Sequence, residues 1–73
     1  MAKPLVQLRP GEEGTVVSIA AGRGLYRRLL ELGLTPNARV KVVHNDGWGP
    51  VVVEIRGARI ALGRGVAAKV LVS

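Results

Sequence analysis

Apolar positions in this chain follow two rhythms. Between Ala20 and Asn37 they recur at helical spacing: Leu25, Leu29 and Leu32 fall at i, i+4 and i+7, on one face of a 3.6-residue period. Tyr26 and Leu30 widen that face, while Arg27, Arg28 and Glu31 occupy the rest of the circumference. Gly33 stands where a helix ends in the left-handed conformation, and Leu34 falls where the next residue folds back onto the last turn, against Leu29. Pro36 forces Thr35 into an extended shape, so the helix cannot resume. Leu25, Leu29, Leu32, Gly33, Leu34 and Pro36 are therefore the expected structural residues of the helix and its end.

Elsewhere the rhythm shortens to two. Leu5, Val6 and Leu8 read as a short extended edge, closed by the turn Arg9-Pro10-Gly11-Glu12. Gly14–Ile19 reads as a strand, with Val17 and Ile19 on one face and Val16 and Ser18 on the other. Thr35-Pro36-Asn37-Ala38 repeats the turn chemistry, with Asn standing in for Gly at positive φ. Arg39–His44 is the next strand; Val40, Val42 and His44 share a face, opposite Arg39, Lys41 and Val43. After the loop Asn45–Pro50, Val51–Ile55 and Arg59–Leu62 form a hairpin across Arg56-Gly57-Ala58. Gly63–Ala68 suits a single 3₁₀ turn, and Lys69–Val72 is a last strand. Small sheets escape exposed edges by closing. The expectation is a mainly β fold: a small SH3-like β-barrel of about five strands, with one inserted α-helix.

The 73 residues make one small domain. There is no Cys, so no disulfide and no thiolate metal site, in agreement with a reducing cytosol. The opening M-A-K-P-L-V-Q-L-R-P has no apolar run long enough for a signal peptide, and no segment approaches the ~20 apolar residues of a membrane span. The formal charge of +6 suits an acidic protein face, an anionic lipid or a nucleic acid.

Catalytic chemistry is poorly supported. Ser18, His44 and Asp46 can be written as a triad, but Ser18 lacks the G-x-S-x-G setting that exposes a nucleophile. His44 and Asp46 are candidate metal ligands two positions apart, with Glu54 able to approach across the hairpin in a favourable register; two ligands alone are too few for a closed site. Gly22-Arg23-Gly24 before the helix could favour an anion, yet neither phosphate-loop fingerprint is present. Base-stacking platforms would rest on Tyr26 and Trp48, the only aromatic residues. Trp48, between two glycines, is either a partner anchor or a cap on the barrel.

With these elements placed, the chain resembles FeoA-domain proteins. The resemblance is carried by G22-x-x-x-x-R27-R28-L29-L30-E31-L32-G33-L34-T35-P36-N37-x-x-V40-x-V42. It continues through G49-P50-V51-V52-V53-x-I55-x-G57-x-x-I60-A61-L62 and A67-A68-x-V70-x-V72, after the opening L8-x-P10-G11-x-x-G14-x-V16. Asn37 stands where the family usually has Gly. The resemblance implies a cytoplasmic SH3-like domain without cofactor or catalytic residues. It implies an accessory protein of bacterial ferrous iron uptake, whose partner is the GTP-hydrolysing membrane transporter FeoB. The same fold forms the third domain of some metal-dependent repressors, whose other domains a chain of this length does not hold. The expected partner face comprises Arg23, Tyr26, Arg27, Asn45 and Trp48. A ferrous iron carrier using His44 and Asp46 and a small nucleic-acid-binding domain are the alternatives. Homodimer formation is left open.

Overall fold

The computed structural model describes residues 2–73. Among the described residues, six strands form one antiparallel sheet: β1 (Lys3–Pro4), β2 (Glu13–Ile19), β3 (Arg39–His44), β4 (Val51–Ile55), β5 (Ala58–Leu62) and β6 (Val70–Val72). Their order across the sheet is β1-β6-β2-β3-β4-β5. A 3₁₀ turn, Leu5–Gln7, follows β1; helix α1 (Arg23–Glu31) joins β2 to β3, and the single-turn α2 (Arg64–Ala67) joins β5 to β6.

The sheet does not close into the expected barrel. β1 and β5 end the strand order and do not pair. The sheet still wraps its own core: Val16 of β2, Val40 and Val42 of β3, Val51, Val53 and Ile55 of β4, Leu62 of β5 and Val70 and Val72 of β6 are buried in one cluster. Chain direction keeps the seam open. After Leu62 the backbone leaves the sheet as α2, which packs against the 3₁₀ turn, so the gap is filled by short helices and side chains. The second expected helix-like element is thus a turn of α-helix, and a sixth strand is gained at β1. That strand pairs Lys3 with Val72 and Pro4 with Leu71, which brings the two ends of the domain side by side.

Two register shifts explain where side-chain directions depart from simple alternation. In β2 the register breaks between Val16, paired with Val72, and Ser18, paired with Leu71. An extra residue at a bulge reverses the facing of everything after it. Val16 is buried and Ile19 packs against the core, although an odd interval separates them; Val17, expected beside Ile19, faces solvent. In β3 a second shift falls between Val42 and His44. Val40 and Val42 are buried, while His44 is turned out and exposed rather than sharing their face.

The core is aliphatic, and among the described residues no polar side chain is buried. Leu5 and Leu8 from the first segment, Val51, Val53 and Ile55 from β4, and Val70 and Val72 from β6 surround Leu29 and Leu34. The end of α1 follows from its sequence. Gly33 donates to the Leu30 carbonyl and Leu34 to the Leu29 carbonyl, both at 3.0 Å, which caps the last turn. Gly33 sits at φ +106°, and a Cβ built there lies 3.3 Å from the Ile55 methyl. Gly33→Ala is therefore expected to destabilise the fold by about 1–3 kcal/mol, measured by urea unfolding. Asn37 at φ +74° takes the place of Gly in the following turn, closed by Ala38 donating to Thr35 O at 3.0 Å. Leu32 is the exception in this segment: as the C-cap residue of α1 it remains 46% exposed rather than completing the core.

Candidate docking groove and its basic surround

The exposure of Leu32 has a structural setting. Leu25, Arg28, Leu29 and Leu32, spaced i, i+3, i+4 and i+7, form one strip of α1 and the first wall of an open groove of about 220 Å³. The facing wall comes from Ala61 and Leu62 of β5 and Val66 of α2. Leu29 is buried, Leu25 half-buried and Leu32 exposed, so the apolar strip runs from the core out to the surface. Arg28 brings a charge to its border. Arg23 and Arg27, one helical turn apart, are exposed elsewhere on α1, and Tyr26 is half-buried. A long apolar side chain fits such a groove, and acidic neighbours on the same ligand suit the arginines.

Asn45 serves the fold. Its amide nitrogen donates to the Val6 carbonyl at 3.0 Å and to the Leu8 carbonyl at 2.8 Å. Its Oδ1 accepts from Gly47 N at 3.2 Å and from the Arg64 guanidinium at 2.8 Å. Arg64 also donates to the Gly49 carbonyl at 3.2 Å. This clip ties the β3–β4 loop to the 3₁₀ segment and to α2, across the seam that backbone pairing leaves open. Trp48 rides on the clipped loop and is 83% exposed. Nothing in the sequence marks Arg64: a lone arginine after a glycine carries no signal for a contact this distant.

The remaining candidates separate. His44 Nε2 and Asp46 Oδ2 meet at 3.0 Å, both well exposed. Glu54 does not join them: it lies opposite Lys41 in the register and pairs with Arg59 at 3.7 Å. Among the described residues no three His, Asp or Glu side chains gather. The triad geometry fails too. Glu13 pairs with Lys41 and Thr15 with Arg39, so the antiparallel run of β3 carries His44 away from Ser18. No helix among the described residues is long and apolar enough to cross a membrane.

Comparison with known proteins agrees with this arrangement. The FeoA domain family matches residues 3–73. A protein of Methanocaldococcus jannaschii, named as a candidate Fe(2+) transport protein A, is 41% identical over 69 residues, covering 94% of this chain and 83% of that protein. The crystal structure of an iron uptake regulatory protein (FeoA) superposes with a TM-score of 0.92 at 38% identity, over 99% of this chain and 96% of that one. FeoA of Stenotrophomonas maltophilia, solved with zinc and described as a prokaryotic SH3 domain protein, has a TM-score of 0.85 at 29% identity, over 96% of this chain and 88% of its own. The wrapped sheet, the capped helix beneath it and the matched span of 3–73 together make this chain a member of the FeoA domain family.

Proposed function

We propose that this protein is a non-enzymatic accessory of ferrous iron uptake, acting in the cytoplasm by docking on the cytosolic part of a FeoB-type transporter. Family membership supports the link to iron transport. One observation carries the docking: the groove between α1 and β5, where an exposed leucine adjoins Arg28. The occupant is an acidic segment of the transporter with an apolar anchor, matched to a protein of formal charge +6. Arg23 and Arg27 steer it, Tyr26 and the exposed Trp48 are assigned as its aromatic contacts, and Asn45 holds the loop that carries Trp48.

Titrating the transporter's purified cytosolic domain with this protein tests the reading. Leu32→Glu is expected to weaken binding at least tenfold, about 1.4 kcal/mol, with the fold retained because the side chain is already half in water. The double change Arg23→Glu with Arg27→Glu is expected to slow association and to remove most of its salt dependence. Unchanged binding in both variants rejects this face.

A further inference from the structure

The two edges of the sheet are unequal. β1 is two residues long and half of it is Pro4, which has no N–H to offer. Short, proline-bearing edges resist pairing with another chain. β5 is five residues long, contains no proline and ends the strand order on the other side.

The outward-facing groups of β5 follow from its turn. Ile55 pairs with Ala58 across Arg56 and Gly57, both at positive φ (51° and 82°), the two-residue turn that closes on a hydrogen-bonded pair. Hydrogen-bonded and non-bonded pairs then alternate along an antiparallel ladder. Ala58, Ile60 and Leu62 turn their N–H and C=O groups to β4; Arg59 and Ala61 turn theirs to the free edge. The apolar groove reaches this edge. Consecutive strand residues point to opposite faces, and the groove touches both Ala61 and Leu62.

We infer that β5 is a strand-addition site: an extended segment of the partner pairs with the backbone of Arg59 and Ala61 and lays an apolar side chain against Leu25, Leu29 and Leu32. This rests on the docking reading above and specifies its geometry. Charge selects the occupant. Arg59 is exposed on the outer face of β5, 3.7 Å from Glu54 of β4, Arg28 borders the groove, and Arg56 stands in the adjoining turn, so arginines outnumber the carboxylate along this edge. Two copies paired edge to edge about a two-fold axis at Ile60, the register that uses the outward groups of both Arg59 and Ala61, would place both Arg59 side chains on the same face as diagonal neighbours, a like-charge arrangement. A segment alternating apolar and acidic residues meets the same edge with opposite charge.

Amide hydrogen exchange, with and without the transporter's cytosolic domain, tests this residue by residue. In the free protein, the amides of Ala58, Ile60 and Leu62 exchange slowly and those of Arg59 and Ala61 quickly. Adding the domain slows Arg59 and Ala61 at least tenfold. Ala61→Pro removes an outward N–H that the fold does not use, and lowers affinity at least tenfold while the Ile60 amide stays protected. Protection of Arg59 and Ala61 already present in the free protein overturns the inference. So does binding that leaves both amides as fast as before; the docking proposal survives that result, since the groove can be filled without strand pairing. No binding at all overturns both.

Discussion

Leu29→Ala is expected to cost about 2–5 kcal/mol, the range for truncating a buried leucine when its surroundings collapse incompletely. Leu29 is 2% exposed and sits where the core meets the groove. It is also the residue whose carbonyl receives the Leu34 amide, so the cavity opens beneath the capped end of α1. A domain of 73 residues has roughly 4–11 kcal/mol of stability in total. The loss is therefore a large share of what holds the protein together. Urea unfolding reads it as a lower midpoint with unchanged slope. Leu29→Met keeps most of the volume and is expected to cost under about 1.5 kcal/mol. Equal losses for Met and Ala would show that shape, not buried volume, sets the cost at this position.

Asn45→Ala is expected to destabilise the protein by about 2–3 kcal/mol, an unusual effect for a loop residue. The amide satisfies two carbonyls, Val6 and Leu8, and its oxygen holds both Gly47 N and Arg64. A net hydrogen bond contributes about 1 kcal/mol, and a partly buried carbonyl left without a donor costs more. Asn45→Asp sharpens the test. It keeps the acceptors for Gly47 and Arg64, loses both donors, and sets a carboxylate against two carbonyl oxygens. If the donors dominate, Asp is as damaging as Ala. If the bond to Arg64 dominates, Asp is close to wild type. Exchange at the Gly47 and Gly49 amides separates a loosened loop from a weakened core.

How much of this was legible in the chain depends on the range of the interaction that decides each feature. The end of α1 was readable because Gly33, Leu34 and Pro36 settle it within a few residues. The hairpin across Arg56-Gly57 was readable for the same reason. The bulges at Val16/Ser18 and Val42/His44 were not, since an inserted valine keeps an apolar run looking regular. The turn-out of His44 was hidden with them. The open seam is not legible because it depends on Lys3 and Pro4, a strand too short to show any period, and on where α2 leaves the sheet. The groove joins Leu25–Leu32 to Ala61–Val66, segments that meet only after folding. Leu32 looked like core because helical spacing gives direction without giving depth. Asn45 looked like a turn former, and it does hold Gly47, but its amide reaches back to a segment 37–39 residues earlier.

The pairing of Lys3 with Val72 has an architectural consequence. Chain enters and leaves this domain through adjacent positions, so a longer polypeptide can carry it in a surface loop on two short tethers without prising the host apart. The same neighbourhood suits relocation of the ends: joining them with a few flexible residues and cutting at an exposed turn such as Arg56-Gly57 reorders the sequence while every strand keeps its neighbour.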